Sequence, residues 1–327
     1  MAGIKDVAKL AGVGVGTVSR AINDTGYVSQ EAKAKIDAAM EELHYIPNEL
    51  ARNLYRKKSG IIAVLVPTIS HPFFAEFINY MELECHERGY KTMICSTERE
   101  KNYESEYLQM LRQHIVEGII TGVHSLDVQE YLEIDMPIVA LDRFIGDNIP
   151  VVSVDHRQGG MRAARELIRC GCHKVAVFQE AKKVHSPAQA RYEEFMRVLE
   201  ESGIETISCE LEWNKSDVAY FNQVTSEFFR KHPDVDGMFG TDLLALSYMK
   251  AAQENGKKIP EDLKIIAYDG TDIMDAVYPR MTMIRQPIEK LAKEAVRLIV
   301  HRIDGTNLLD KHIELESTFI KGNTTDN

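Results

Sequence analysis

The sequence predicts an α/β protein carrying a small helical head, and three observations carry that expectation. Residues 4–23, IKDVAKLAGVGVGTVSRAIN, place apolar side chains at helical spacing, break at a glycine and start again, the pattern of a helix–turn–helix. From residue 60 the pattern changes. Short apolar runs, IIAVLV (61–66), GIIT (118–121), PIVALD (137–142), VAVF (175–178) and IIAY (265–268), read as buried strands separated by amphipathic helical stretches. Strand–helix alternation implies right-handed βαβ units around largely parallel sheets. The third observation is size: 327 residues at 44% apolar composition can build two or three folding units.

In the head, Val7, Ala8 and Ala11 share one face of a first helix over 4–11, and Gly12 falls where it should end, a position that favours positive φ. A second helix over 16–23 buries Val18 and Ile22. Ser29 can cap a third over 31–43, with Glu31 in its first turn and Ala32, Ile36, Ala39, Met40 and Leu43 on its apolar face. Pro47 breaks the chain before a short fourth helix over 48–56, which Asn48 can cap. In the body, helices are expected over 73–88, 103–115, 158–170, 188–202, 217–231, 242–255 and 287–303.

Charge is unevenly distributed. The net charge is −11, yet residues 1–60 carry net +2 and the remainder net −13. A mildly basic head on an acidic body directs nucleic acid to one end only. No run of about 18 apolar residues occurs, so no membrane span is expected. No apolar leader opens the chain, and five scattered cysteines (Cys85, Cys95, Cys170, Cys172, Cys209) suit a reducing compartment, so a cytoplasmic protein is expected. Nothing has the form of a nucleophile motif, a phosphate loop or a metal site. No buried strand precedes GVGVG (12–16), and Cys170-Gly171-Cys172-His173 lacks a second ligand pair and falls where Gly171 should end a helix. No enzymatic activity, cofactor or metal is therefore expected.

The helix–turn–helix segment resembles the lactose-repressor (LacI) and purine-repressor family of bacterial transcription regulators. The resemblance continues through 28–54 (VSQEAKAKIDAAMEELHYIPNELARNL), 60–77 (GIIAVLVPTISHPFFAEF), 236–270 (DGMFGTDLLALSYMKAAQENGKKIPEDLKIIAYDG) and 281–287 (MTMIRQP). It implies a headpiece at 1–47, a hinge helix and linker at 48–59, and a two-lobed core over 60–327, like a periplasmic sugar-binding protein. The chain would cross between lobes near 157–161, 285–289 and 317–321. GIITGVHS (118–125) and SHPFFAEF (70–77) resemble most the sucrose- and ribose-operon branch.

By family position, Val15, Gly16, Thr17, Ser19 and Arg20 begin and line the recognition helix. Arg20 can donate two hydrogen bonds to a guanine edge or clamp a phosphate, while Thr17 and Ser19 suit the backbone. Val15 could touch a thymine methyl. Gly16 offers no side chain where relatives often carry a polar one. In the hinge, Ala51, Asn53, Leu54 and Tyr55 match minor-groove positions, with Leu54 as an apolar wedge between base pairs. For the effector cleft the resemblance assigns Phe73, Asp142, Arg191, Trp213, Asp242 and Asp269, with His185 and Ser186 in the same loop region. Carboxylates and an arginine suit vicinal hydroxyls, and aromatic faces suit the apolar side of a sugar ring. Asp242 and Asp269 could alternatively be helix or turn caps, and His71 reads as a pocket wall or turn residue. The implied function is a repressor of a sugar-utilisation operon that binds double-stranded, pseudo-palindromic operator DNA as a homodimer and answers to a small sugar. The alternative is a sugar-binding receptor without a regulatory role.

Overall fold

A computed structural model describes residues 2–47, 58–97, 103–123, 128–181, 186–212, 215–306 and 310–326. The chain separates into two compact units, 1–60 and 61–327.

The first unit contains α1 (Ile4–Ala11), α2 (Val15–Asn23) and α3 (Gln30–Glu42). Asp6 accepts from the Gly3 amide at 2.8 Å, closing the start of α1, and Gly12 ends it at φ 66, in the left-handed region a side chain would resist. Ser29 Oγ accepts from Ala32 N at 3.2 Å, satisfying one of the open amides of α3. Val7, Ala8, Ala11, Val18, Ile36 and Ala39 form the core, with Ile22, Met40 and Leu43 against it. The expected hinge helix, 48–56, lies outside the described residues.

The second unit holds two six-stranded sheets with the same strand order. In the first, β1 (Ile61–Val66), β2 (Lys91–Ser96), β3 (Gly118–Thr121), β4 (Ile138–Leu141), β5 (Val151–Val154) and β11 (His312–Leu315) lie in the order β11-β5-β4-β3-β1-β2, all parallel. The second orders β12 (Thr318–Ile320), β10 (Thr282–Arg285), β9 (Lys264–Asp269), β8 (Gly237–Thr241), β6 (Lys174–Gln179) and β7 (Glu205–Glu210) as β12-β10-β9-β8-β6-β7. Only its β10–β12 pair is antiparallel among the described strands. Both faces of each sheet are covered, which explains the unbroken apolar runs of the central strands.

Around the first sheet, α4 (Pro72–Glu87) and α11 (Ile288–Ile303) bury Phe77, Met81, Leu291 and Ile299 on one face. Leu108 and Leu111 of α5 (Glu104–Arg112), with Tyr131 of α6 (Val128–Leu132), cover the other. Around the second sheet, α9 (Val218–Lys231) and α10 (Asp242–Glu254) contribute Phe228, Leu244 and Tyr248, opposite Leu167 of α7 (His156–Arg169) and Phe195 of α8 (Ala190–Glu201).

Helix α11 thus belongs to the lobe of β1–β5 and α7 to the lobe of β6–β10, so the chain changes lobe three times. The middle crossing, at Gln286-Pro287, lies within the expected 285–289. The first comes just before the expected window, and the last falls at the near edge of the expected 317–321. Asp155 caps α7 by accepting from Gln158 N at 2.9 Å, so the second lobe already begins at His156 rather than at 157–161. The last crossing is at Glu316-Ser317, because Thr318 already pairs with Arg285. Gly171, at φ 73, follows the end of α7 and makes Cys170-Gly171-Cys172 a helix stop.

Candidate functional site

In the head, the amphipathic pattern of α2 sorts its residues. Val18 is fully buried, Thr17 and Ser19 are half-buried, and Val15, Gly16 and Arg20 are exposed. Among the described residues, no hydrogen bond or ion pair holds the Arg20 side chain. Its guanidinium passes over Gly16, 3.9 Å from where a Cβ would stand there. The exposed face of α2 therefore offers a cation, short hydroxyls and an apolar contact, the groups that phosphates and base edges take up. Ala51, Asn53, Leu54 and Tyr55 lie outside the described residues.

In the second unit both sheets reverse strand order beside their first strand, β1 against β3 and β6 against β8. At such switch points the loops diverge and open a crevice at the carboxyl ends of the strands. The crevices of the two lobes share one cavity of about 220 Å³. Its wall includes Pro67, His71, Phe73 and Phe74 after β1, Gly122 and Val123 after β3, and Asp142 after β4. From the other lobe come Glu180 after β6, Thr241 at the end of β8 and Asp269 at the end of β9, with Arg191 and Tyr192 from α8 and Gln286 from the crossing.

Arg191 is the centre of the polar wall. It is buried, and its Nη2 meets Glu180 Oε1 at 2.6 Å and donates to the Tyr192 hydroxyl at 3.1 Å, while Nη1 lies 3.9 Å from Asp269 Oδ1. Its guanidinium covers the rings of Tyr268 at 4.5 Å and Tyr192 at 4.8 Å. Burial works against its charge, and Tyr192, Glu180 and Asp269 outweigh that cost and hold it protonated. Helix α8 can bring it there because α7 carries Gly160, where a Cβ would collide with the Arg191 carbonyl.

The aspartates at the ends of β4 and β9 occupy equivalent places in the two lobes. Both lie in the left-handed region, Asp142 at φ 49 and Asp269 at φ 103, a strain that aims the carboxylate away from the strand. Each is held by a crossing residue: Asp142 Oδ1 by His156 Nε2 at 2.9 Å, Asp269 Oδ1 by Gln286 Nε2 at 2.8 Å. His156 Nδ1 in turn meets the Tyr268 hydroxyl at 2.8 Å. Burial pushes the Asp269 carboxyl above the usual carboxylate range, against the pull of Arg191. Ser186 Oγ donates to the Asp142 carbonyl at 2.9 Å, and the Asp272 amide to Glu76 Oε2 at 3.0 Å, both across the lobes.

The cavity thus gathers Phe73, Asp142, Ser186, Arg191 and Asp269 of the expected set. His185 and Trp213 lie outside the described residues. Asp242 is not part of the wall. Its carboxylate accepts from Gly270 N at 3.0 Å, Thr271 N at 2.8 Å and Thr271 Oγ1 at 2.6 Å, so it ties down the turn that follows Asp269. Burial pushes it up to about 6, although those three bonds favour its charged form.

Sequence reasoning passed over Phe74, Glu180, Tyr192 and Gln286, and left His71 as a wall or turn residue. His71, Phe74 and Glu180 stand just beyond predicted strands and Gln286 within an expected crossing, while Tyr192 had only its place beside Arg191 as a signal. Among the described residues, three of the wall also carry a polar atom sealed from solvent and without a partner: His71 Nδ1, Arg191 Nε and Gln286 Oε1.

Comparison with known proteins decides what this arrangement belongs to. Residues 3–48 match the bacterial regulatory proteins of the LacI family, and residues 59–303 match the periplasmic binding proteins and sugar-binding domain of the same family. The chain belongs to the LacI family. It is 37% identical to the ribose operon repressor of Halalkalibacterium halodurans, over 99% of this chain and 97% of that one. It is 38% identical to the sucrose operon repressor of Streptococcus mutans over 93% of each. Among solved structures, a periplasmic binding protein/LacI transcriptional regulator from Alkaliphilus metalliredigens, complexed with D-xylulofuranose, superposes with a TM-score of 0.75. It is 31% identical, over 82% of this chain and all of that one. The family consists of transcriptional regulators. Among the described residues, no helix is long and apolar enough to cross a membrane.

Proposed function

We propose that this chain is a sequence-specific repressor of a sugar-utilisation operon. It binds operator DNA through α2 and a small sugar in the cavity between its lobes, and it is a cytoplasmic regulator rather than an enzyme. The observation that carries the reading is the joining, in one chain, of a helix presenting Arg20 with a cavity in which Arg191, Asp142 and Asp269 face the aromatic rings of Phe73 and Phe74. Charged groups answer hydroxyls, and aromatic faces answer the ring's apolar side.

One α2 buries too little surface for tight specific binding, so the unit that reads the operator is a homodimer on a pseudo-palindrome. Residues 48–56 are too few to make a stable isolated helix. In this proposal they fold against their dimer mate over the minor groove, with Ala51, Asn53, Leu54 and Tyr55 at the DNA. Sugar that closes the lobes moves the hinges apart and releases the operator. Such coupling is reciprocal, and DNA must weaken sugar binding by the same factor.

Gel-shift titration of the full chain on its own upstream region, with and without ribose, fructose or sucrose, tests the reading, together with a variant lacking residues 1–58. Retention must vanish in the variant while sugar affinity persists. DNA binding that survives the deletion, or that no sugar alters, would overturn the proposal.

A further inference from the structure

A chain of side chains behind the cavity wall joins its two halves. His156 Nε2 meets Asp142 Oδ1 at 2.9 Å, and His156 Nδ1 meets the Tyr268 hydroxyl at 2.8 Å. The ring of Tyr268 lies under the Arg191 guanidinium, at 4.5 Å. Asp142 and Arg191 line the cavity from opposite lobes, whereas His156 and Tyr268 are not among the described residues of its wall. Both are buried, His156 at 2% exposure and Tyr268 at 0%. The Asp142–His156 bond spans the first crossing, since β4 belongs to one lobe and α7 to the other.

The chemistry of each member gives the chain one direction. Burial holds the Tyr268 hydroxyl above its ordinary range, so it keeps its proton and can donate. A carboxylate only accepts, so in the neutral imidazole Nε2 carries the proton and Nδ1 is left to accept from Tyr268. The donors therefore run from Tyr268 through His156 to Asp142, and each bond polarises the next.

The fold holds this chain from both ends. Tyr268 sits inside the second sheet, in register with Thr241 on one side and Ile284 on the other. His156 opens α7 directly after the Asp155 cap. Helix α7 makes room with two adjacent glycines. A Cβ on Gly159 would stand 2.9 Å from the Tyr268 hydroxyl, and one on Gly160 would collide with the Arg191 carbonyl. Glycine is less favourable than alanine inside a helix, so both positions give up local stability for this arrangement.

We infer that His156 and Tyr268 are positioning residues, a relay that ties Asp142 of one lobe to the Arg191 side of the other and couples effector occupancy to lobe closure. The inference rests on the reading of this cavity as the effector site, and it concerns the regulation of that site rather than a contact with the effector. Ser186 and Glu76 also bond across the lobes, so the arrangement held by the relay is one in which the lobes are drawn together. A bond that belongs to one arrangement of the lobes shifts the balance between arrangements when it is lost. Effector affinity and effector-driven release of the operator must then fall by the same factor.

Calorimetric titration of the full-length protein with ribose, fructose and sucrose tests this, together with gel shifts on its own upstream region with and without saturating sugar. Tyr268→Phe keeps the ring under Arg191 and removes only the hydroxyl. It should weaken sugar binding about threefold or more and reduce operator release equally. His156→Leu breaks both links and should cost about tenfold or more in each. His156→Gln, which offers one donor and one acceptor as the neutral imidazole does, should recover most of the loss. The double variant His156→Leu/Tyr268→Phe should be no weaker than His156→Leu, because both substitutions cut one chain.

Wild-type sugar affinity and release in Tyr268→Phe would overturn the inference and leave the effector site standing. So would tighter sugar binding in either variant, losses that add in the double variant, or a lowered melting temperature with release unaltered, which is the mark of a purely structural role. Failure of all three sugars to alter operator binding by the wild type would overturn the effector-site reading and this inference together.

Discussion

The two lobes repeat one strand order and one device, an aspartate in left-handed backbone at the end of the fourth strand, yet they prepare it differently. In the lobe of β6–β10, Asp269 sits in a network of partners from its own lobe and the crossing. Arg191 faces it, Gln286 donates to it, and Asp242 pins the turn that follows. In the lobe of β1–β5, Asp142 is met from the first crossing. Its carboxylate answers to His156 there, and the lobe adds the faces of Phe73 and Phe74 and the unpartnered His71. One lobe is a rigid polar socket and the other a mostly apolar cover. Preorganisation of the socket lets its hydrogen bonds act without a reorganisation cost, while the cover gains by excluding water once closed.

The largest break of that contrast should come from Asp242→Ala. It leaves two amides and a hydroxyl unsatisfied in the interior, so unfolding free energy should fall by about 3–5 kcal/mol in a denaturant titration. Loss of sugar affinity should accompany it, because the turn after Asp269 is no longer held. An effect below about 1 kcal/mol would mean that the socket is not built on this residue.

Arg191→Ala comes next. It removes the donor at the centre of the socket and leaves Asp269 buried with less compensation. Sugar affinity should fall on the order of 100-fold, the scale of a charge-assisted hydrogen bond in a dry site. Operator binding without sugar should persist. Calorimetry and gel shift on the same sample separate the two, and near-wild-type sugar affinity would move the site elsewhere.

The cover lobe should show itself by its response to acid. Burial lowers His71 from the usual 6.5 to about 4, so the folded state prefers it neutral. Its contribution to stability is complete above pH 6.5, is lost as pH falls toward 4, and changes no further below that. The loss should reach about 3 kcal/mol at most, and His71→Phe should abolish that component. Paired pH–stability profiles that run parallel would show that the imidazole is not sealed in the cover.

The smallest effect is expected where the lobes meet at their rim. Glu76→Ala removes the acceptor of the Asp272 amide and should weaken closure by about 0.5–1.5 kcal/mol, seen as a two- to tenfold loss of sugar affinity with no change in melting temperature. A drop in melting temperature instead would make Glu76 part of one lobe's fold rather than a link between two.

Much of this was legible from residues alone where the cause is local. Gly12 at positive φ, Ser29 capping α3, and Val7, Ala8 and Val18 facing one core follow from spacing and capping chemistry within a few residues. Strands β1, β3, β4, β6 and β9 declared themselves because both faces are buried, whereas β5 and β10, short and broken by Ser153 or Thr282 and Arg285, did not. Edge strand β2 did not, because residues such as Lys91 and Ile94 face solvent and break the apolar run. The first crossing was placed slightly late, because Asp155 already caps α7, while the middle and last fell where they were expected.

The site divides the same way. Asp142, Asp269 and Arg191 could be named because they stand at strand ends or early in a helix. What each does was decided only when the chain folded. Asp242 and Asp269 follow similar apolar strands, yet one is spent on the Gly270–Thr271 turn and the other faces the cavity. His71, Tyr192 and Gln286 come from separate elements, and no spacing links them. The sequence by itself determined the helices of the head and most of those of the body, the caps at Gly12 and Ser29, five of the buried strands and the family. Tertiary structure alone decided which strand ends meet, which charges cancel and which polar atoms are left without partners. The reason is that burial and hydrogen-bond completion belong to the surroundings of an atom, and those surroundings are assembled from residues far apart in the chain.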